Sequence, residues 1–433
     1  MESIFLPPEV WKSSPPSATP ERRRSRRASA AVVDDQLLDA AVAVLAETGP
    51  DLWAVQHVAK RAGTTTGAVY ARYENASEFA VAVWQQRSSV AVRELLDDVV
   101  TLVATEPDQA TPELAARIGN AVRVPNDSLR AALALLVVSR RVDVLAEVVV
   151  PDLTRWLDEW GVGVATDRTR RAVVIGSIST LLGAALGNVP PGVPKADWPR
   201  ILPHLAGIAR RPSPVPGHPA EPLFVPHPTV DTGDLERDRL IAAAAEAVAT
   251  VGFVNATVSR VSRRAGALNG SSYRHFPSKQ ELLVAAIDEL LLRHYLSRIV
   301  NSAQLYAGAG VDREQWLEVT GGRLAGNLHP ERRLLENLRL EVFLAAAYDE
   351  ELASALSATL HTADETYEAT FERLIGPGAR RDPAHLLRAV SLGVQYVHQL
   401  VSGLDELDWR CFWQSLEPYL VPRAETHGPG RQV

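Results

Sequence analysis

One segment of this 433-residue chain occurs twice, and the two copies lie 203 positions apart without a gap. Glycines, aromatic residues and apolar residues all keep their register, so each copy must satisfy the same backbone and packing requirements. The chain is therefore expected to build one small helical unit twice. The residues Asp35, Leu37, Gly49, Val55, Arg61, Ala62, Gly63, Gly67, Tyr70 and Glu78 recur as Asp238, Leu240, Gly252, Val258, Arg264, Ala265, Gly266, Gly270, Tyr273 and Glu281.

Length and composition limit the class of protein. A chain of 433 residues is too long for one core and predicts two to four domains. The single cysteine, Cys411, excludes a disulfide framework and a thiolate metal cluster, and it fits a reducing cytoplasm. We expect no signal peptide and no membrane span, and the apolar run 172–189 favours a buried interface helix.

Positive charge is concentrated near the first copy, although the net charge of the whole chain is −7. Five arginines, which are Arg22, Arg23, Arg24, Arg26 and Arg27, directly precede that copy. Two interpretations stay open for this arm. It is either a solvated, disordered segment or an arm that follows phosphates or enters a minor groove.

A proline-rich segment divides the chain into two halves. Seven prolines between residues 211 and 233 argue against helix there and predict an extended linker. Elsewhere, apolar residues recur at helical spacing, and no alternating strand pattern stands out. The predicted domains are an Arg-rich disordered arm (1–30), a first head (31–91), a first regulatory domain (92–210), the linker (211–233), a second head (234–294), a second regulatory domain (295–422) and a disordered tail (423–433).

The second head shows the clearest local signals. A first helix, 240–251, should end at Gly252, which suits a left-handed conformation. Thr257 should cap a short second helix, and Ala265-Gly266 suits the tight turn that follows it. A third helix is predicted for residues 269–275, and a capping box from Ser278 to Glu281 should open a fourth.

The segment from Thr257 to Gly266, followed by Gly270 to Leu282, resembles the helix-turn-helix domain of TetR-type transcriptional regulators. The resemblance covers about 60 residues in each half. It implies an all-α fold in which tandem helix-turn-helix DNA-binding domains are each followed by a helical ligand-binding and dimerisation domain. It also implies double-stranded DNA as a partner, a small-molecule effector, and either an intramolecular pseudo-dimer or a homodimer.

Free N–H groups at helix starts bind phosphate oxygens, and short polar side chains on a third helix read base edges. Tyr273 and Lys279 can also donate to the DNA backbone on either side of the groove. These roles and the resemblance together give the candidate DNA contacts. In the second head they are Thr257, Asn269, Ser271, Ser272, Tyr273, His275 and Lys279. In the first head they are Thr64, Thr65, Thr66 and Tyr70.

The first head departs from the family's pattern at three places. Ala54 stands where Thr257 caps, Arg72-Tyr73 replaces His275-Phe276, and Ala76 replaces Lys279. The lost cap alone is worth about 1 kcal/mol. We therefore expect this head to lack one cap and two phosphate contacts, for which the five arginines offer compensating charge.

No catalytic constellation is apparent, so we expect no enzyme activity, no cofactor and no metal. The resemblance implies an effector pocket, and the aromatic candidates of the second half are Trp316, Phe343, Tyr367, Phe371 and Tyr396. The chain is interpreted as a sequence-specific, ligand-responsive repressor with two unlike heads. The alternative is a DNA-binding protein without effector sensing, in which one head serves only as a dimerisation module.

Overall fold

Helices follow one another along the chain. The computed structural model describes residues 20–106, 111–210, 214–223, 229–268, 270–309, 313–375 and 382–420. These residues form helices, turns and irregular segments and contain no strand, so the predicted all-α class is confirmed. The helices of the first half are α1 (Pro20–Thr48), α2 (Val55–Arg61), α3 (Thr66–Tyr70), α4 (Ala76–Val83), α5 (Ser89–Ala104), α6 (Pro112–Arg123), α7 (Asp127–Ser139), α8 (Asp143–Glu159), α9 (Arg168–Gly187) and α10 (Trp198–Leu205).

The second half repeats this order. Short π-helical segments join the fourth and fifth helices at equivalent places in the two halves, Trp84–Ser88 and Ile287–Leu292. The buried apolar side chains of both halves form one continuous core. The helices of the second half are α11 (Leu235–Val251), α12 (Val258–Arg264), α13 (Ser272–His275), α14 (Lys279–Ala286), α15 (Arg293–Ala309), α16 (Arg313–Gly326), α17 (Arg333–Ala345), α18 (Glu350–Ile375), α19 (Asp382–His398) and α20 (Arg410–Leu420).

Helix α1 corrects one expectation about the N-terminal arm. Residues 20–30, which were expected to be disordered, form the first turns of this helix. Arginine and alanine favour helix, proline is tolerated in a first turn, and the first break is Gly49 at φ +76°. Residues 1–19 of the arm and the predicted tail, 423–433, lie outside the described residues.

The two halves pack together through α9 and α19, and their backbones come into direct contact. A Cβ atom on Gly393 would lie 1.6 Å from the Ser179 carbonyl oxygen, and one on Gly183 would lie 2.1 Å from the Ala389 carbonyl oxygen. Only glycine permits this approach. Gly176 makes room in the same way for the ring of Phe412 on α20.

Helix α9 is long and apolar enough to cross a membrane by length and composition. However, 89% of its apolar window is buried inside the protein. The helix is therefore the centre of the interface between the halves, as its sequence predicted. Polar contacts also cross that interface: Arg171 on α9 donates to the carbonyls of Ser402 (2.6 Å) and Gly403 (2.8 Å), and the Tyr396 hydroxyl donates to the Leu133 carbonyl (2.8 Å).

The described part of the predicted linker, residues 214–223, is not helical and lies against α16. The Leu223 amide donates to the Gly322 carbonyl at 2.8 Å. A Cβ on Gly322 would stand 2.5 Å from the Glu221 carbonyl oxygen, so this glycine lets the linker lie directly on the helix. This part of the linker thus lies on the surface of the second half.

Replacing Gly393 by alanine tests the interface. The new methyl group meets a backbone carbonyl that cannot move aside, so we expect Gly393→Ala to lower the free energy of unfolding by about 3 kcal/mol. Gly187→Ala is the matched control on α9, because its added Cβ would meet nothing closer than 3.6 Å. Urea unfolding of both variants is the measurement, and equal stabilities would contradict the close contact.

Candidate nucleic-acid interface

Each head is a set of four helices in which the second and third cross at a tight turn. These helices are α1 to α4 in the first head and α11 to α14 in the second. Gly63 and Gly266 occupy the turn at φ +65° and +64°, and a Cβ on either would meet nothing within 4 Å. The glycines are therefore needed for backbone conformation and not for space, as the repeat predicted.

The second helix is capped in one head only. In the second head, the Thr257 hydroxyl accepts a hydrogen bond from the Arg260 amide at 3.3 Å. In the first head, Ala54 holds the same extended conformation and makes no side-chain cap. Thr257 is exposed, so the amides at the start of α12 face solvent, where a phosphate could approach.

The third helix shows the opposite difference. In the first head, α3 is capped by Thr65, whose hydroxyl accepts from the Ala68 amide at 3.2 Å. In the second head, α13 has only four residues and no side-chain cap. The prediction of a helix over 269–275 was therefore too long at its start, because Gly270 takes φ +88° and interrupts it. Asn269 lies outside the described residues.

Several predicted DNA contacts are indeed on the surface. The tyrosines at equivalent positions, Tyr70 and Tyr273, are 54% and 59% exposed. Thr65 and Thr66 are exposed, and Thr64 is half-buried. These side chains lie on or next to the third helix of each head.

Two serines predicted to read bases are buried instead. Ser271 and Ser272 are 5% and 2% exposed. The Ser272 hydroxyl is hydrogen-bonded to the Ser262 hydroxyl at 3.2 Å, where α13 crosses α12. The repeat could have predicted the burial of Ser272, because Ser272 occupies the position of Val69, a fully buried core residue of the first head.

His275 and Lys279 are likewise engaged within the protein. The ring nitrogens of His275 lie 3.5 and 3.2 Å from the carboxylates of Asp234 and Glu236 at the start of α11. The Lys279 ammonium donates to the carbonyls of Phe253 and Val254, both at 2.9 Å, and partial burial lowers its pKa. In this structure Lys279 fixes the loop before α12, so its predicted role in phosphate binding is not the one observed.

Sequence reasoning missed two arginines on the exposed face of α12. Arg260 and Arg263 are exposed, and their guanidinium groups have no hydrogen-bond or ion-pair partner among the described residues. The next arginine, Arg264, pairs with Glu246 at 2.9 Å. Their i, i+3 spacing on the short second helix of this head could have identified this surface.

Charge distinguishes the two heads. Residues 240–286 carry five basic and two acidic side chains, whereas residues 37–83 carry three basic and five acidic ones. In the first head, Arg61 pairs with Glu47, and Arg72 pairs with Asp34. The second head therefore presents the more electropositive surface, as a polyanionic partner requires.

Four of the five aromatic residues predicted to line an effector pocket have side chains that the structure describes. Trp316 packs edge-on against Trp413 with 6.4 Å between ring centroids, and Phe343 is fully buried in the core. Tyr367 is half-buried on α18, and the side chain of Phe371 lies outside the described residues. Tyr396 alone of the five lines the described cavity.

That cavity lies mainly in the first half. It is walled by apolar side chains of α5, α7, α8 and α9 and closed by Tyr396 and its neighbours from α19. Its volume is about 20 Å³, which is room for about one water molecule. This cavity is not the predicted effector pocket of the second half, which stays a prediction.

The second regulatory domain buries several charged side chains. Arg332, Arg339 and Glu336 are each 3% exposed or less. The Arg339 guanidinium donates to Ser391 and Gln395, both at 3.0 Å. Burial raises the pKa of the Glu336 carboxyl to about 8, although the neighbouring arginines oppose the shift.

Comparison with known families agrees with the duplicated heads. Residues 37–83 and 240–286 each match the family model described as bacterial regulatory proteins, tetR family. Both matches run from the first helix of a head to its fourth, so the departures in the first copy do not remove it from the family's pattern. No curated protein matches the chain.

Removal of the buried Glu336 carboxyl should change how stability depends on pH. Because its pKa is raised in the folded chain, the folded state holds a proton that the unfolded chain releases, and the free energy of unfolding should fall as pH rises from about 5 to 8. Glu336→Gln should flatten this dependence in urea unfolding at several pH values. The exposed Glu113→Gln is the control, and an unchanged slope in Glu336→Gln would contradict the buried acid.

The unpaired arginines of α12 should contribute to DNA binding through phosphates. Each phosphate contact contributes about one unit to the dependence of log affinity on log salt concentration, so Arg260→Ala with Arg263→Ala should reduce that slope by about two. The control is Arg117→Ala in α6, whose guanidinium pairs with Asp98 at 2.7 Å. A double variant with the wild-type slope would show that this face does not meet the duplex.

Proposed function

We propose that this chain, a DNA-binding transcriptional regulator that carries two TetR-type DNA-binding domains in tandem, is a ligand-responsive repressor with two unlike heads on one duplex. The observation that carries the proposal is the close α9–α19 interface between the halves, which holds two different heads in a single chain.

The fused halves act as an intramolecular pseudo-dimer. Helices α9 and α10 of the first half meet α19 and α20 of the second, so corresponding helices face one another as in an isologous subunit interface. A symmetric pair of helix-turn-helix heads meets half-sites about one helical turn apart, roughly 34–36 Å. One chain is thus sufficient to occupy two half-sites.

The two heads bind differently. The second head presents the capped start of α12 with Arg260 and Arg263, which suits tight phosphate binding. The first head presents a better-formed third helix, α3, with Thr66 and Tyr70 exposed. Since symmetry does not force the heads to be alike, the preferred operator has two unlike half-sites.

Effector binding acts by a population shift. The apolar cavity lies against Tyr396, so its walls come from both halves. A ligand that widens this cavity favours a different relation between the halves and thereby a different separation of the heads. Such a ligand shifts the equilibrium only by its differential affinity for the two states.

One observation favours the alternative in which a head serves as an interface only. The first head is the more acidic, and two of its three basic side chains are neutralised by neighbouring carboxylates. A protein of this kind senses no effector. A thermal-shift screen in which no metabolite stabilises the chain supports this alternative.

Selection of bound duplexes from a random pool tests the proposal. We expect an asymmetric site, and light scattering should show one 47.0 kDa chain on each duplex. Tyr273→Ala should lower affinity by about tenfold, because a hydrogen bond to a charged phosphate is lost. Tyr70→Ala should instead alter the preference at the other half-site.

Two results would contradict the proposal. A perfect palindrome as the preferred site would show equivalent heads. A complex with two chains on each duplex would show that the heads of one chain do not fill both half-sites.

A further inference from the structure

Arg141 belongs to the first regulatory domain, and its side chain contacts each of the other three domains, which are the two heads and the second regulatory domain. It follows the C-terminal end of α7 in the first regulatory domain, and 15% of its side chain is exposed. Its guanidinium donates to the Asp51 carboxylate of the first head. It also donates to the Val251 carbonyl of the second head, at a distance of 3.2 Å. It also donates to the Glu341 carboxylate on α17 of the second regulatory domain, at 3.1 Å.

The two heads also touch each other directly beside Arg141. The Val254 amide of the second head donates to the Asp51 carboxylate of the first at 3.1 Å. Positions 51 and 254 are equivalent in the repeat, so the heads meet through the same loop. Gly252 allows the approach, because a Cβ there would lie 2.5 Å from Asp51 and 2.6 Å from Arg141.

Buried charges fix the geometry of this contact. Glu341 and the neighbouring Arg140 are 2% and 3% exposed in their side chains, and they lie 3.2 Å apart. Burial raises the pKa of the Glu341 carboxyl, while Arg141 and Arg140 oppose that shift. Two guanidinium groups thus face two carboxylates, and loss of one partner would leave a buried charge uncompensated.

The loops held here control the DNA-reading helices. Each loop connects the first helix of its head to the second, so Asp51 lies just before α2, and Val254 lies just before α12. A fixed loop therefore fixes the direction in which its second and third helices leave the contact. The α9–α19 interface contains none of these residues and can persist without them.

We propose that Arg141 is a positioning residue that sets the separation of the two heads and hence the half-site spacing that the protein accepts on DNA. The inference rests on the proposed function, in which both heads bind one duplex. Arg141 itself does not touch DNA. Its loss leaves each head able to bind but frees the heads to adopt other separations.

The test uses the full chain and the selected operator, with two base pairs inserted or removed between the half-sites. A two-base-pair change rotates one half-site by roughly 70°. Wild-type protein should lose affinity on the order of 10²-fold, since rigid heads cannot then bind both half-sites together. Arg141→Met should bind the unchanged operator more weakly and lose less than about tenfold on the altered ones.

Arg171→Met is the matched control. Arg171 is 3% exposed and donates across the halves to Ser402 and Gly403, but it touches neither head. This variant should lower thermal stability and keep the wild-type spacing preference. If Arg141→Met behaves in the same way, Arg141 is structural only and the inference is overturned.

A second variant keeps the test valid if Arg141→Met does not fold. Asp51→Asn retains the shape of the side chain and removes the charge that Arg141 meets, so it should also broaden the accepted spacing. Wild-type spacing in Asp51→Asn overturns the inference. Wild-type protein that binds a single half-site as tightly as both overturns the proposed function itself, which separates the two failures.

Discussion

The contact between the backbones of α9 and α19 is the constraint on which the rest of the structure depends. Gly183 and Gly393 bring peptide groups of the two halves into van der Waals contact, and neither position has room for a methyl group. Such close packing leaves few alternative arrangements of the halves. It holds the two domain pairs, each with its head, against each other.

Covalent fusion removes the requirement that the two heads be alike, and local physics shows how far they have diverged. Thr257 caps α12, whereas Ala54 leaves α2 uncapped, and Thr65 caps α3, whereas α13 has no side-chain cap. Each head thus has a side-chain cap on a different helix, the third helix in the first head and the second helix in the second head. The charges have separated in the same way, since the second head alone carries an excess of basic residues.

The repeat predicted local structure well because caps and turn glycines act over a few residues. Gly266 takes a positive φ in its predicted turn, Thr257 caps α12, and the Ser278 hydroxyl caps α14 by accepting from the Glu281 amide. Contacts between distant segments escaped prediction. Ser272 bonds to Ser262 on α12, and the Ser271 hydroxyl donates to the Leu268 carbonyl. His275 faces the start of α11, and Lys279 reaches a loop 25 residues away, so these side chains turn inward. Arg141 joins segments about 90, 110 and 200 residues distant, which no local pattern encodes.

The segment that lies along α16, with the Leu223 amide bound to Gly322, joins the halves covalently. Separate subunits dissociate on dilution, but tethered partners meet at an effective concentration that does not depend on copy number. A regulator built in this way stays assembled when a cell holds only a few molecules of it. For a pseudo-dimer of the kind proposed, operator occupancy at low concentration rises in proportion to the number of chains and not to the square of that number.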